Sequence, residues 1–232
     1  MQKLVVEDLG VVLGGKEVLK SVSIQLQHID IVGVVGANGA GKTTLLNALA
    51  GLIPVAQGRV YLDGNDVTHT SPDERLRRSI SYVPDGSGVF STLTVRENLI
   101  LGGHIRQSTE IDSVLSLLPD LVDCLDRFAG SLTAFQRRQC AFGRALMSQP
   151  SLLMVDELSL GLSPISADAL ARLLPDIAAH GVAIIVVEQD IDRVLSLVDR
   201  AYVLESGTVT IEGTPGELLS SRGFVERYLW GS

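Results

Sequence analysis

The residues best equipped for chemistry lie in the run Gly36-Ala37-Asn38-Gly39-Ala40-Gly41-Lys42-Thr43-Thr44. Gly36, Gly41, Lys42 and Thr43 fill every defining position of the P-loop pattern G-x-x-x-x-G-K-[ST]. Glycines let consecutive backbone N–H groups curl around phosphate oxygens, and a helix starting just after them points its positive end at the same anion. Gly36, Asn38, Gly39, Ala40, Gly41, Lys42, Thr43 and Thr44 are therefore the candidate nucleotide contacts. Lys42 would reach the outer phosphates, and the Thr43 hydroxyl would join the shell of a Mg²⁺ ion. The competing reading is a glycine-rich turn that binds nothing. The flanks argue against it: Ile31–Val35 reads as a buried strand and Leu45–Ala50 as a helix, the context the motif requires. The chemistry implied is binding of a nucleoside triphosphate.

A second constellation follows the apolar strand Leu152–Val155, where Asp156 and Glu157 stand side by side in the Walker B arrangement. A carboxylate at the exit of a strand beside a P-loop can hold Mg²⁺, and the next residue can orient or deprotonate an attacking water. Taken alone, such a pair also fits strand-end carboxylates that only face solvent. Beside a complete P-loop, Asp156 reads as a metal ligand and Glu157 as a catalytic base.

The elements that must position these groups form a mixed pattern. Residues Leu4 to Gln27 alternate and are interrupted by Gly10, Gly14 and Gly15, which predicts short antiparallel strands. Gly58–Leu62 and Ser79–Val83 read as strands, with a capping box at Ser71–Glu74 opening a helix between them. The middle is helical: Thr94–Glu97 and Thr133–Gln136 are capping boxes, and Thr109 would cap a helix carrying Ile111, Val114, Leu115 and Leu118. Strands resume at Leu152 and at Val182–Val187, with a helix from Ser163 to about Ala179 between them. Asp190 caps a further helix, Ala201–Leu204 and Val209–Ile211 are late strands, and Thr214 caps a terminal helix. The expected fold is α/β: a P-loop core with an N-terminal antiparallel β part and a helical insertion at about 85–148.

Composition narrows the classes. The 232 residues are 46% hydrophobic, with net charge −8 and a pI near 5.0. A nucleic-acid binder would show a basic footprint, so no nucleic acid is expected as partner. Cys124 and Cys140 lack metal-ligand spacing and read as buried thiols of a reducing compartment. His28, His69, His104 and His180 are scattered, and the arginines at 75, 77, 78, 137 and 138 read as solvated helix faces. No apolar run approaches the length of a bilayer span, and Met1-Gln2-Lys3 leads straight into strand-like residues. Together these features predict a soluble cytoplasmic chain.

The chain resembles the nucleotide-binding subunits of ABC transporters nearly end to end, and within them the ATP-binding subunits of branched-chain amino acid and related amide or urea importers. The resemblance is carried by GANGAGKTTLLNALAGL, YVPDGSGVF with LTVRENLILGG, GRALMSQPSLLMVDELSLGLSPI, VVEQ and DRAYVLESGTV, and by the tail Arg227-Tyr228-Leu229. It implies one ABC nucleotide-binding domain over 1–232, with 1–84 and 149–232 as core and 85–148 as helical subdomain. It also implies ATP and Mg²⁺ as cofactors and integral-membrane permeases as partners, with the chain docked on the inner face of the cell membrane. A second ATPase subunit would face it head to tail, each ATP lying between one P-loop and the opposite signature sequence.

Several departures bear on activity. The signature glycines are replaced in Leu132-Thr133-Ala134-Phe135-Gln136, so the expected partner is an ATPase subunit with an intact signature. Thr133 could offer its hydroxyl to a phosphate, but it reads first as a helix N-cap. By the resemblance, Asp85 stands at the Q-loop glutamine, a candidate for metal and catalytic contact. Gln189 stands at the switch histidine, and Leu13 where an aromatic would stack on adenine. Leu158 replaces a proline after Glu157, and Ser159–Leu162 read as the D-loop. The segment 85–98, with Ser87 to Asn98 as contact, would carry motion to a permease. Two other classes stay open: a nucleotide-gated regulatory module with little turnover, and a P-loop phosphotransferase, which would need an acceptor-binding lid.

Overall fold

A computed structural model describes residues 2–86 and 88–229. Met1, Ser87 and positions 230–232 lie outside the described residues, so the sequence readings that include them extend beyond the structure.

Two sheets organise the chain. The first is antiparallel, order β2-β1-β4-β5, built from β1 (Gln2–Leu13), β2 (Lys16–Gln27), β4 (Gln57–Leu62) and β5 (Asn65–Asp66). The second runs β10-β9-β3-β8-β7-β6, from β3 (Ile31–Val35), β6 (Ile80–Val83), β7 (Leu152–Asp156), β8 (Ala183–Glu188), β9 (Arg200–Glu205) and β10 (Thr208–Gly213). Its pairs are parallel except for β10 on β9. The continuous apolar runs of β3, β7 and β8 are explained by this position, since a parallel sheet is covered on both faces.

The period of two divides each strand between two cores. Val32, Val34, Leu152, Met154, Ile185 and Val187 face the core shared with the antiparallel sheet. There they meet helix α1 (Lys42–Leu49), which buries Leu45, Leu46 and Leu49. Their neighbours Ile31, Val35, Leu153, Val155, Ile184 and Val186 face the opposite core, with Leu99, Phe142, Leu170 and Leu174. Those residues come from α3 (Val95–Gly102), α5 (Ala134–Leu146), α6 (Pro164–Ala171) and α7 (Leu173–Ala179), and α4 (Asp112–Leu117) packs alongside. The helices α3, α4 and α5 all fall between β6 and β7 in the chain.

Five expectations are corrected. Gly10 does not end β1, which runs through as a 12-residue strand, although its register on both neighbours shifts beside Gly10; a Cβ there would lie 2.5 Å from the Gln57 side chain. Thr109 does not cap α4, whose N-cap residue is Ile111. The helix expected over 163–179 is two, parted at Arg172, because Pro175 lacks the N–H that would bond back to Ala171. Arg75 and Arg138 are no solvated face: they are 1% and 4% exposed. The capped helix α9 (Pro215–Ser220) is followed by another, α10 (Arg222–Tyr228). Two short helices, α2 (Pro72–Arg77) and α8 (Ile191–Leu195), lead into β6 and β9 respectively.

Candidate functional site

The parallel strands end in a row. Val35 of β3 is level with Glu188 of β8, Val187 of β8 with Asp156 of β7, and Val155 of β7 with Val83 of β6. The residues leaving these strands are therefore delivered to one edge: the P-loop after β3, Glu157 after β7, Gln189 after β8 and Asp85 after β6. Ligands of open α/β sheets bind at this carboxyl edge.

The loop after β3 is tightly embedded. A Cβ on Gly36 would lie 2.2 Å from the Leu204 carbonyl oxygen, and Gly41, at φ +110°, would push one to 2.7 Å from Leu19. Only glycine meets both demands. Helix α1 starts with no side-chain cap and no acidic residue in its first turn, so its leading N–H groups remain available to an anion. Asn38 and Gly39 are exposed at the loop crest, Ala40 is buried, and Thr43 and Thr44 open α1. Lys42 is 5% exposed and folds back over the loop, donating to the Gly36 carbonyl at 2.8 Å and the Ala37 carbonyl at 3.2 Å. A loop that gathers unpaired amides around a buried cation fits a phosphate chain.

Lys42 also lies 3.5 Å from the Glu157 carboxylate, and Gln189 Nε2 donates to both Glu157 oxygens at 3.0 and 2.9 Å. Thr43 Oγ1 donates to Asp156 Oδ1 at 3.3 Å, and the Tyr82 hydroxyl donates to Oδ2 at 3.0 Å. Burial raises the Asp156 carboxyl above its ordinary range; the two hydrogen bonds oppose this, and the charges of Asp85 and Glu157 add to it. The Tyr82 phenol is pushed up by the same burial and by Asp156. Two oxygen donors in contact, Thr43 and Asp156, suit a hard divalent cation completed by phosphate and water.

The structure thus brings Lys42, Thr43, Asp156, Glu157 and Gln189 into one contact network, with Asp85 exposed beside it. Leu13 is different. It ends β1 opposite Lys16 at the hairpin tip, 39% exposed, and the hairpin meets the P-loop through Val18 and Leu19 instead. Thr133 acts as the N-cap of α5, accepting from the Gln136 N–H at 3.2 Å, and Phe135 packs half-buried on the helical core. A cavity of about 780 Å³ opens beside the P-loop, lined by Gly36–Ala40, Gln189, Glu205 and the tail residues Arg227 and Tyr228. Arg227 clamps Glu205 through two bonds of 2.9 and 2.8 Å, and the Tyr228 hydroxyl adds a third at 2.7 Å.

Three residues of this region escaped the sequence reading. Tyr82 supports Asp156, Glu188 accepts from the Ser159 and Gln189 N–H groups at 2.6 and 3.0 Å, and Arg138 donates to the Asp156 and Glu157 carbonyls. For Arg138 a signal existed: it lies one turn from Phe142 and Phe135 on the apolar stripe of α5.

Comparison with known proteins agrees with this geometry. A family profile described as ABC transporter matches residues 19–159. The chain is 38% identical over 222 residues to the high-affinity branched-chain amino acid transport ATP-binding protein BraG of Pseudomonas aeruginosa, covering 94% of this chain and 95% of that one. It is 36% identical over 215 residues to the probable branched-chain amino acid transport ATP-binding protein LivF of Archaeoglobus fulgidus, covering 89% and 90%. A crystal structure of an ATP-binding cassette of an ABC transporter in its ADP conformation superposes with TM-score 0.85 at 27% identity, over 99% of both chains. The chain belongs to the ABC transporter family, as an ATP-binding and ATP-hydrolysing subunit.

Proposed function

We propose that this chain powers an importer for branched-chain amino acids or related amides, working from the cytoplasmic face of a membrane against permease subunits. The similarity to BraG and LivF supports the solute class, and the lipopolysaccharide export protein LptB of Haemophilus influenzae is less similar, at 28% identity. No described helix is long and apolar enough to cross a membrane, so the permeases would supply the crossing. The stretch between β6 and β7, about 85–148, acts as a helical subdomain beside an α/β core.

One observation carries the site assignment: Lys42, Thr43, Asp156, Glu157 and Gln189 meet at a single strand edge. The amides of 36–44 and Lys42 hold the phosphates, and Leu13 borders the base. Thr43 and Asp156, with Asp85 nearby, would hold Mg²⁺, which supplies charge to the phosphate oxygens. Glu157 accepts the proton of the attacking water. Gln189 holds that carboxylate in place through its amide, a contact an amide can make without changing charge. Ala134 and Phe135 obstruct the face offered to an opposite nucleotide, so the facing subunit is one with intact signature glycines.

Binding of MgATP by Lys42→Ala tests the assignment. Loss of a charge-assisted contact worth about 1.5–3 kcal/mol weakens binding about 10- to 100-fold with the fold retained. An unchanged dissociation constant would remove the P-loop from the account.

A further inference from the structure

Arg138 enters the site from α5, five residues after the N-cap Thr133, and is 4% exposed. Its guanidinium donates to the carbonyls of Pro84 and Gly86, the latter at 3.2 Å, where the chain leaves β6. It also donates to the carbonyls of Asp156 and, at 3.0 Å, Glu157, where the chain leaves β7. Its Nε is buried with no hydrogen-bond partner among the described residues. Glu157 has φ +50°, a left-handed conformation that a residue with a side chain seldom adopts unless its surroundings impose it. The Glu157 N–H bonds to Val187 at 3.0 Å, and the buried carboxylate of Glu188 holds Ser159 and Gln189 on the far side. The carbonyl side of that left-handed turn rests on Arg138.

We propose that Arg138 is a positioning residue for the hydrolytic site: its planar fork fixes the main chain of Glu157 and Asp85's strand exit to α5. A Lys, with one rotatable ammonium, cannot span carbonyls from both exits in the same way. Because α5 begins with the Thr133–Gln136 face about 7 Å along the axis, a shift of that face is transmitted to the Glu157 carboxylate. Among the described residues Arg138 has no bond to the P-loop, and its bonds to Asp156 and Glu157 are to main-chain carbonyls and not to the carboxylates, so its removal disturbs turnover far more than affinity. This inference rests on Glu157 acting as base.

The test uses the assembled transporter and four variants: Arg138→Met, Arg138→Lys, Glu157→Gln and the double Arg138→Met/Glu157→Gln. A fluorescent ATP analogue with Mg²⁺ reads affinity, and steady-state phosphate release at saturating ATP reads kcat. The Met and Lys variants should bind within about threefold of the parent while kcat falls at least about tenfold. The double variant should turn over no more slowly than Glu157→Gln alone, since the two act as one unit. A parent kcat in either single Arg variant, or affinity and kcat falling together, overturns the proposal. If Arg138→Met fails to fold, the Lys variant decides; if neither folds, the residue is structural and the proposal fails. Parent-rate turnover in Glu157→Gln removes the base reading and this proposal with it, whereas a slow Glu157→Gln beside a fast Arg138→Met removes this proposal alone.

Discussion

Asp156 is fully buried yet bonded by Tyr82 and Thr43, and burial still wins, holding its carboxyl above the ordinary range. Between the ordinary and the raised value the folded chain holds more protons than the unfolded one, so stability falls as pH rises through that window. The buried charge then costs the nucleotide-free protein stability at neutral pH, a cost that a bound divalent cation would offset. Asp156→Asn should therefore raise the melting temperature of the nucleotide-free chain at pH near 8, by about 2–4 °C for each kcal/mol recovered. The gain should shrink as pH is lowered toward about 4. Melting curves across that range check it, and a variant less stable than the parent at pH 8 contradicts the sign. The same substitution should abolish the part of ATP affinity that depends on Mg²⁺.

Elements differ in how far they were legible. The capping boxes at Ser71, Thr94, Thr133 and Thr214 all form, because a cap is a contact between residues three apart. Of the strands that end at the site, β3, β7 and β8 were equally plain, as continuous apolar runs. Arg75 was not legible. It is 1% exposed and donates to the Ala48 and Leu49 carbonyls at the C-terminal end of α1, and at 2.8 Å each to those of Val67 and Thr68. Burial lowers its pKa to about 10, so it stays charged at neutral pH. Its partners are main-chain atoms of other elements, which side-chain patterns do not encode; the partners of Arg138 are of the same kind, and only its place on the apolar stripe of α5 signals its burial. Arg75→Met removes the donor to the Leu49 and Thr68 carbonyls and one donor each from Ala48 and Val67, and should cost about 3 kcal/mol. A chemical denaturation curve with an unchanged midpoint would show that α1 does not depend on this cap.

The molecule as a whole is asymmetric in what it offers. Its P-loop matches the motif at every defining position, whereas the start of α5, the face proposed to meet an opposite nucleotide, exposes Thr133 and Ala134 and half-buries Phe135. Paired with a subunit of intact signature, it should supply the competent P-loop of one site and the poor face of the other. In the assembled complex Lys42→Ala should then abolish turnover, while the partner's equivalent lysine change leaves much of it; the reverse pattern contradicts the asymmetry. For the permease contact, α3 offers a clean probe in Arg96, which is exposed and paired only with Asp126 at 3.3 Å among the described residues. Glu97 is a poorer probe, because it closes the Thr94 cap at 2.8 Å. Arg96→Glu should lower solute-stimulated ATPase more than basal ATPase, and equal effects on both would argue against contact there.

The most direct test of the central claim, that this chain hydrolyses ATP with Glu157 as base, is single-turnover hydrolysis by the complex carrying Glu157→Gln. The carboxamide keeps the shape of the side chain beside Lys42 and Gln189 but cannot take a proton. MgATP should bind within about threefold of the parent while the hydrolysis step slows about 100- to 10,000-fold. Hydrolysis at the parent rate with MgATP bound would contradict the account.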